Sequence, residues 1–105
     1  MTLFTELYDD IKAMINSLPT KEGECDFTTH EFILLFAQQK QYEYIQALYE
    51  QKEAGKKSPF RELHKSINDM LKTSFSDLIT ETAKNQPSQD IFSNDSSCSH
   101  FKKVS

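Results

Sequence analysis

The stretch FTTHEFILLFA, residues 27–37, decides the fold of this chain because it carries two helix-start signals followed by an apolar run. Thr28 and Glu31 have the spacing of a capping box, in which each side chain satisfies a backbone amide of the other residue. The two phenylalanines that flank this start have the spacing of a hydrophobic staple. The run that follows is apolar on every side, so we predict a helix here that is the most buried element.

The residues around this stretch predict further helices. Residues 42–53 resume the apolar pattern after the polar break at 38–41, and we favour two helices over one long helix across 29–53. The turn at 55–59 combines a terminating glycine, a serine N-cap and a proline at the first helical position, which predicts a helix over 60–72. Upstream, apolar residues at three- and four-residue spacing predict a helix over 3–18, which Pro19 ends.

The C-terminal third is weaker in pattern. We predict a short helix over 75–82 and then a segment rich in Ser, Asn, Asp and Gln. Its alternatives are a hairpin, in which residues 90–92 pair with 99–101, and a loosely held tail. We therefore divide the chain into a helical core, 1–84, and a polar C-terminal hairpin or tail packed on it, 85–105.

Composition agrees with a single helical domain. The chain has 105 residues, twelve aromatic residues and only two glycines, at 23 and 55, whereas turn-rich β proteins need glycine at many positions. We predict a mainly α fold: a compact four- to five-helix domain, to which a short C-terminal β-hairpin is added if the last segment pairs with itself.

Charge and apolar runs restrict the location. The net charge is −4, and residues 1–51 carry nine acids and three bases, whereas residues 52–105 carry seven acids and nine bases. The N-terminus lacks the pattern of a signal peptide, and the longest apolar run is too short to span a membrane. We expect a cytoplasmic protein with reduced cysteines and no membrane partner.

No pattern for catalysis or for a cofactor is recognisable. The chain lacks a nucleophile elbow and a glycine-rich phosphate loop, so we predict a non-enzymatic binding protein without a cofactor. Cys25, His30, Cys98 and His100 offer the ligand types of a structural zinc site. Their spacings do not match common zinc ribbons or fingers, and we favour ordinary loop, core and surface roles for them.

The predicted helix at 60–72 carries the most informative polar pattern. At about 100° per residue, Arg61, Lys65, Asn68 and Lys72 project from one side, away from the apolar stripe. Lys56 and Lys57 precede this strip. Such residues suit phosphate contacts and base-edge contacts in a major groove. The alternative is an ordinary solvated helix face, because Glu62 and Asp69 flank the strip and dilute its positive charge.

In element order, residues 28–104 resemble winged-helix DNA-binding domains, which place a recognition helix after a helical pair and follow it with a β-hairpin wing. The resemblance implies that residues 58–71 form the recognition helix and that a wing lies near 90–104. It implies double-stranded DNA as partner, with Lys102 and Lys103 touching the backbone.

A different class of function stays open from the sequence. The chain could instead be a protein-interaction module or small structural subunit, either a homodimer through the helix at 3–18 or an adaptor that uses the acidic residues Asp9 and Asp10. A zinc-stabilised adaptor is a third hypothesis.

Overall fold

The computed structural model describes residues 6–23 and 25–104, and within them the chain forms four helices and a three-stranded sheet. The elements in chain order are α1 (Tyr8–Ser17), β1 (Phe27–Thr28), α2 (Thr29–Gln39), α3 (Gln41–Glu53), α4 (Pro59–Ser74), β2 (Ile79–Gln89) and β3 (Asp95–Lys103).

The predicted capping box begins α2. The Thr28 side chain accepts a hydrogen bond from the Glu31 amide at 3.2 Å, and the Glu31 carboxylate accepts one from the Thr28 amide at 3.1 Å. Both staple phenylalanines are fully buried. The expectation that α2 is buried on all sides is too strong, because Leu34 is 44% exposed.

The other helix boundaries follow local chemistry. Lys40, with φ −121° and ψ 55°, separates α2 from α3, so residues 29–53 form two helices as predicted. Gly55 has φ +81°, a conformation that favours glycine, and Pro59 is the first residue of α4. Ser58 makes no side-chain cap hydrogen bond. The predicted first helix is present as α1, and residues 3–5 of that prediction lie outside the described residues.

The prediction of a mainly α fold with a short C-terminal hairpin is wrong. The domain is a mixed α/β structure, because residues predicted as a helix over 75–82 form a turn and the start of β2, an eleven-residue strand. Ile79, Thr80 and Thr82 are β-branched residues, which suit a strand. Pro87 fits within β2 because this strand lies at the edge of the sheet, where a missing amide donor is tolerated.

The sheet is antiparallel, in the order β1–β3–β2. Ile79 lies opposite Lys103 and Gln89 lies opposite Asp95, so the hairpin is longer than predicted and its register differs from a pairing of 90–92 with 99–101. Strand β2 also runs across positions 84 and 85, where we divided the chain. The Asp90 carboxylate closes the turn by accepting hydrogen bonds from the Phe92 and Asn94 amides.

A single core joins the helices to the inner face of the sheet. It includes the buried face of α1 and the phenylalanines of α2. The rings of Phe27 on β1 and Phe101 on β3 stack with centroids 5.4 Å apart. This core fixes the hairpin beside α4 and so creates the groove described below.

Candidate nucleic-acid interface

All four residues of the predicted polar strip lie along one groove between α4 and the β2–β3 hairpin. Arg61 and Lys65 are exposed, whereas Asn68 and Lys72 are half-buried. The groove has a volume of about 920 Å³. Residues 95–99 of β3 form the wall opposite α4, and α2 contributes Thr29, His30 and Ile33.

The two outer cations differ from the two inner residues in their contacts. The side chains of Arg61 and Lys65 make no ion pair or hydrogen bond with the residues that the structure describes. Lys57 is also exposed and lines the groove, and Lys56 is exposed beside it on the loop before α4. These four cationic side chains lie at or beside a groove whose lining also includes the carboxylates of Asp90 and Asp95.

The two inner residues are engaged by the protein. Thr29 donates a hydrogen bond to the Asn68 side-chain oxygen at 2.7 Å and accepts one from the Ser99 amide at 3.2 Å. Lys72 pairs with Glu81 of β2, with Nζ and Oε2 3.0 Å apart. Burial acts to raise the pKa of Glu81, but hydrogen bonds from Ser99 and Lys72 outweigh it and hold that pKa below its ordinary value.

The structure places Lys102 and Lys103 away from the strip. The Lys102 ammonium lies 2.9 Å from the buried carboxylate of Asp26 and also donates to the Lys21 carbonyl. Lys103 donates to the carbonyls of Asn16 and Leu18 at the C-terminal end of α1. Both ammonium groups therefore bind the N-terminal part of the chain, and Lys103 does so at the C-terminal end of a helix, where a cation is favoured.

Sequence reasoning missed an aromatic cluster at the groove. Phe60 at the start of α4 and Phe92 in the hairpin turn meet edge-to-face with centroids 4.7 Å apart, and His64 packs beside both. Phe92 is one of few apolar residues in its polar segment, and this isolated phenylalanine was the sequence feature that could have indicated the cluster. The cluster holds the hairpin turn against α4.

Behind this cluster, His64 and Tyr44 form a hydrogen-bonded pair with Nε2 and Oη 2.7 Å apart. Burial, together with nearby His30, lowers the pKa of His64 to about 4, although Asp90 acts in the opposite direction. Burial also lowers the pKa of His30, whose Nδ1 lies 3.0 Å from the Ser88 hydroxyl of β2. At neutral pH both imidazoles are uncharged.

The zinc hypothesis receives no geometric support. Within residues 6–23 and 25–104, no three His, Cys, Asp or Glu side chains are placed to hold a metal ion together, so Cys25, His30, Cys98 and His100 do not converge as a site. Cys25 and Cys98 are free thiols. Burial raises the pKa of Cys25, so its thiol is protonated at neutral pH.

The two surfaces predicted to bind a protein partner, both on the first helix, differ in their exposure. Ile11, Met14 and Ile15, the apolar face of α1, are buried in the core of one chain and are not available to a second copy. Asp9 and Asp10 are exposed, and Asp10 pairs with Lys40 at 3.2 Å.

None of the helices described is long and apolar enough to cross a membrane.

Comparison with known proteins found no protein-family model, no curated protein and no solved structure that matches the chain.

Proposed function

We propose that this protein is a non-enzymatic, winged-helix-like regulator that binds double-stranded DNA through α4, with the β2–β3 hairpin as the wing. The observation that carries the proposal is the open groove whose α4 wall presents Arg61 and Lys65, neither of which pairs with an acid among the described residues, in a lining that also includes Asp90 and Asp95. A groove of this kind can accept one sugar–phosphate backbone between helix and hairpin.

The order of elements supports the resemblance to winged-helix domains. Helix α4 follows the pair α2 and α3 and precedes a hairpin, which is the order that the resemblance predicts. The resemblance concerns fold, and fold alone does not establish function, so the charge of the groove carries the argument for DNA.

The wall opposite α4 offers hydrogen-bond donors. It includes Asn94, Ser96 and Ser97, whose side chains can donate to phosphate oxygens. Strand β1 pairs with β3 only at residues 100 and 101, so residues 95–98 have a strand neighbour on one side only. Their outer backbone amides are therefore further donors of the kind that contacts phosphate.

The proposed roles differ among the cations. Arg61 and Lys65 contact DNA directly, and Lys56 and Lys57 contact phosphates beside the start of α4. Asn68 and Lys72 lie deeper, where Thr29 and Glu81 hold them, and their part is to shape the groove. We do not propose Lys102 and Lys103 as contacts, because their ammonium groups bind Asp26 and the end of α1.

The net charge of −4 does not oppose this proposal. The excess of acids lies in the N-terminal half, where nine acids, including Asp9 and Asp10 on α1, meet three bases, whereas residues 52–105 carry nine bases and seven acids. The attraction for phosphate is therefore local to the groove, and we expect binding that is moderate and sensitive to salt.

The test is fluorescence anisotropy with a labelled duplex over a series of salt concentrations. Lys65→Ala should reduce the slope of log affinity against log salt by about 1, as loss of one phosphate contact does. Arg61→Ala should weaken binding about tenfold, the effect of losing one good base contact. Lys12→Ala removes one exposed charge from α1 and is the matched control.

Two results would overturn the proposal. One is wild-type protein that leaves the anisotropy of the duplex unchanged at low salt. The other is Lys12→Ala weakening the binding as much as Lys65→Ala, because the attraction would then reflect total charge and not the groove.

A further inference from the structure

Two phenylalanine rings stay half-exposed in the lining of the groove. Phe60 at the start of α4 is 44% exposed, Phe92 in the hairpin turn is 49% exposed, and both line the groove. Their centroids are 4.7 Å apart, so two different elements together present one contiguous apolar surface. Single exposed apolar residues are ordinary, whereas a contiguous exposed apolar surface is typical of a binding site.

Cations lie close to these rings along the chain. Arg61 follows Phe60 directly and Lys57 precedes it by three positions, and both cations are exposed and line the same groove. Positive charge combined with exposed aromatic rings is the combination that binds single-stranded nucleic acid. The cations attract the phosphates, and the flat faces of the bases stack on the rings.

The carboxylates of the groove restrict which part of a nucleic acid can lie beside the rings. Asp90 and Asp95 line the groove, and the Asp90 carboxylate binds the backbone amide of Phe92 itself. A carboxylate repels a phosphate, but it does not repel an uncharged base, and it can accept a hydrogen bond from the amino group of cytosine. The lining therefore suits a nucleotide whose phosphate meets the cations and whose base lies beside the rings.

A base inside a duplex cannot make this contact. Neighbouring base pairs cover both of its faces, so only a base that has left the stack can lie flat against a phenylalanine ring. The groove has room for such a base, because its volume of about 920 Å³ lies in the range of about 300–1,000 Å³ found for sites that bind small organic molecules.

We infer that the groove binds an unpaired base at the end of a duplex, which stacks on the surface formed by Phe60 and Phe92 while Arg61 and Lys57 contact its phosphate. This inference rests on the proposed function, since it names the form of DNA that the groove prefers. The rings contribute affinity that requires a base, whereas the cations contribute affinity that requires only phosphate. The two contributions can therefore be measured separately.

The first test compares three labelled DNAs by fluorescence anisotropy. They are a blunt duplex, the same duplex with a short cytosine overhang, and the same duplex with an overhang of abasic sites, which keeps the phosphates but lacks the bases. Wild-type protein should bind the cytosine overhang about tenfold more tightly than the abasic overhang, as expected for one stacked base.

Substitutions then assign this preference to the rings. Phe92→Leu and Phe60→Leu should each reduce the preference for the cytosine overhang and leave the affinity for the blunt duplex unchanged. Leucine keeps an apolar contact between α4 and the hairpin turn but offers no flat ring, and unchanged binding of the blunt duplex shows that the groove is intact. Tyr42→Leu is the matched control, because Tyr42 is 78% exposed on α3, outside the described lining of the groove.

A second measurement locates the bound base. One cytosine of the overhang is replaced by 5-iodocytosine, which on ultraviolet irradiation cross-links to an aromatic side chain that stacks on it. Mass spectrometry of the digested complex identifies the residue. We expect the cross-link at Phe60 or Phe92.

The possible failures separate this inference from the proposed function. Equal affinity of wild-type protein for the cytosine and abasic overhangs would overturn the inference and leave duplex binding standing. A preference that survives both phenylalanine substitutions, or a cross-link at Tyr42 in place of the phenylalanines, would also overturn it. Wild-type protein that binds none of the three DNAs would overturn the proposed function and this inference with it.

Discussion

At the scale of single residues, polar groups in this protein owe their state to neighbours that are distant in sequence. Asn68 looks like a solvent-facing helix residue, but Thr29, 39 positions away, binds its side chain. Lys72 likewise fits the polar strip by spacing, yet Glu81 of the hairpin pairs with it. The sequence predicted the direction of these side chains, and the packing of the hairpin decided their partners.

His64 gives a prediction at this scale. Its pKa of about 4 in the folded protein lies below the ordinary value of 6.5, so the unfolded chain binds more protons between these values. Stability should therefore fall as the pH is lowered from about 6.5 towards 4. Thermal unfolding measured across this range should show a shallower fall for His64→Gln than for the wild type.

Tyr44→Phe is the matched variant for this measurement. It removes the hydroxyl that lies 2.7 Å from His64 Nε2 but keeps the imidazole. It should lower the unfolding temperature at neutral pH and retain most of the wild-type pH dependence. If the pH dependence of stability were unchanged in His64→Gln, other groups would be its source. Among them is His30, whose pKa is also lowered by burial.

At the scale of elements, the helix starts were the most predictable features, because their signals act within a few residues. The Thr28 and Glu31 pair, Pro59 at the first position of α4 and Gly55 before it are all local. Strand β2 was not predictable in this way. Its stability comes from pairing with β3, and β3 in turn pairs with β1 more than 70 residues earlier in the chain.

Thr28→Ala tests the capping box. The change leaves the Glu31 amide without its side-chain acceptor, so it should reduce the free energy of unfolding by about 1 kcal/mol. Chemical denaturation measures this loss. Thr20→Ala changes an exposed threonine outside the helices and should stay within about 0.5 kcal/mol of the wild type. Equal effects of the two substitutions would argue against the capping box as a stabilising feature.

At the scale of the whole molecule, Asp26 joins the two ends of the fold. Its buried carboxylate accepts hydrogen bonds from the Lys21 amide at 2.7 Å, the Lys103 amide at 2.8 Å and the Lys102 ammonium at 2.9 Å. The Lys102 side chain and the two backbone amides lower the pKa of Asp26 to about 2. The carboxylate thereby connects the loop after α1 to the last strand.

Asp26→Asn should lower the unfolding temperature by several degrees at neutral pH, because Lys102 loses its buried counter-charge. The folded pKa of Asp26 lies below the ordinary value of 3.8, so its contribution is present above about pH 4 and lost as the pH falls towards 2. The variant should therefore show a weaker acid dependence over this interval. Asp77→Asn, at an exposed turn, serves as the control, and a loss as large in that variant would count against this role.

The sequence by itself determined the four helices that form, their boundaries at residues 28, 40 and 59, and the exposure of Arg61 and Lys65 on α4. Helical periodicity and capping depend on residues that lie within a few positions of each other, so the chain displays them directly. The sheet, the groove beside α4 and the roles of Asp26, Lys102 and Phe92 were decided by the tertiary structure. Each of these depends on contacts across long sequence separations. Strand β2, for example, forms because its backbone pairs with β3, and its own sequence does not indicate that pairing.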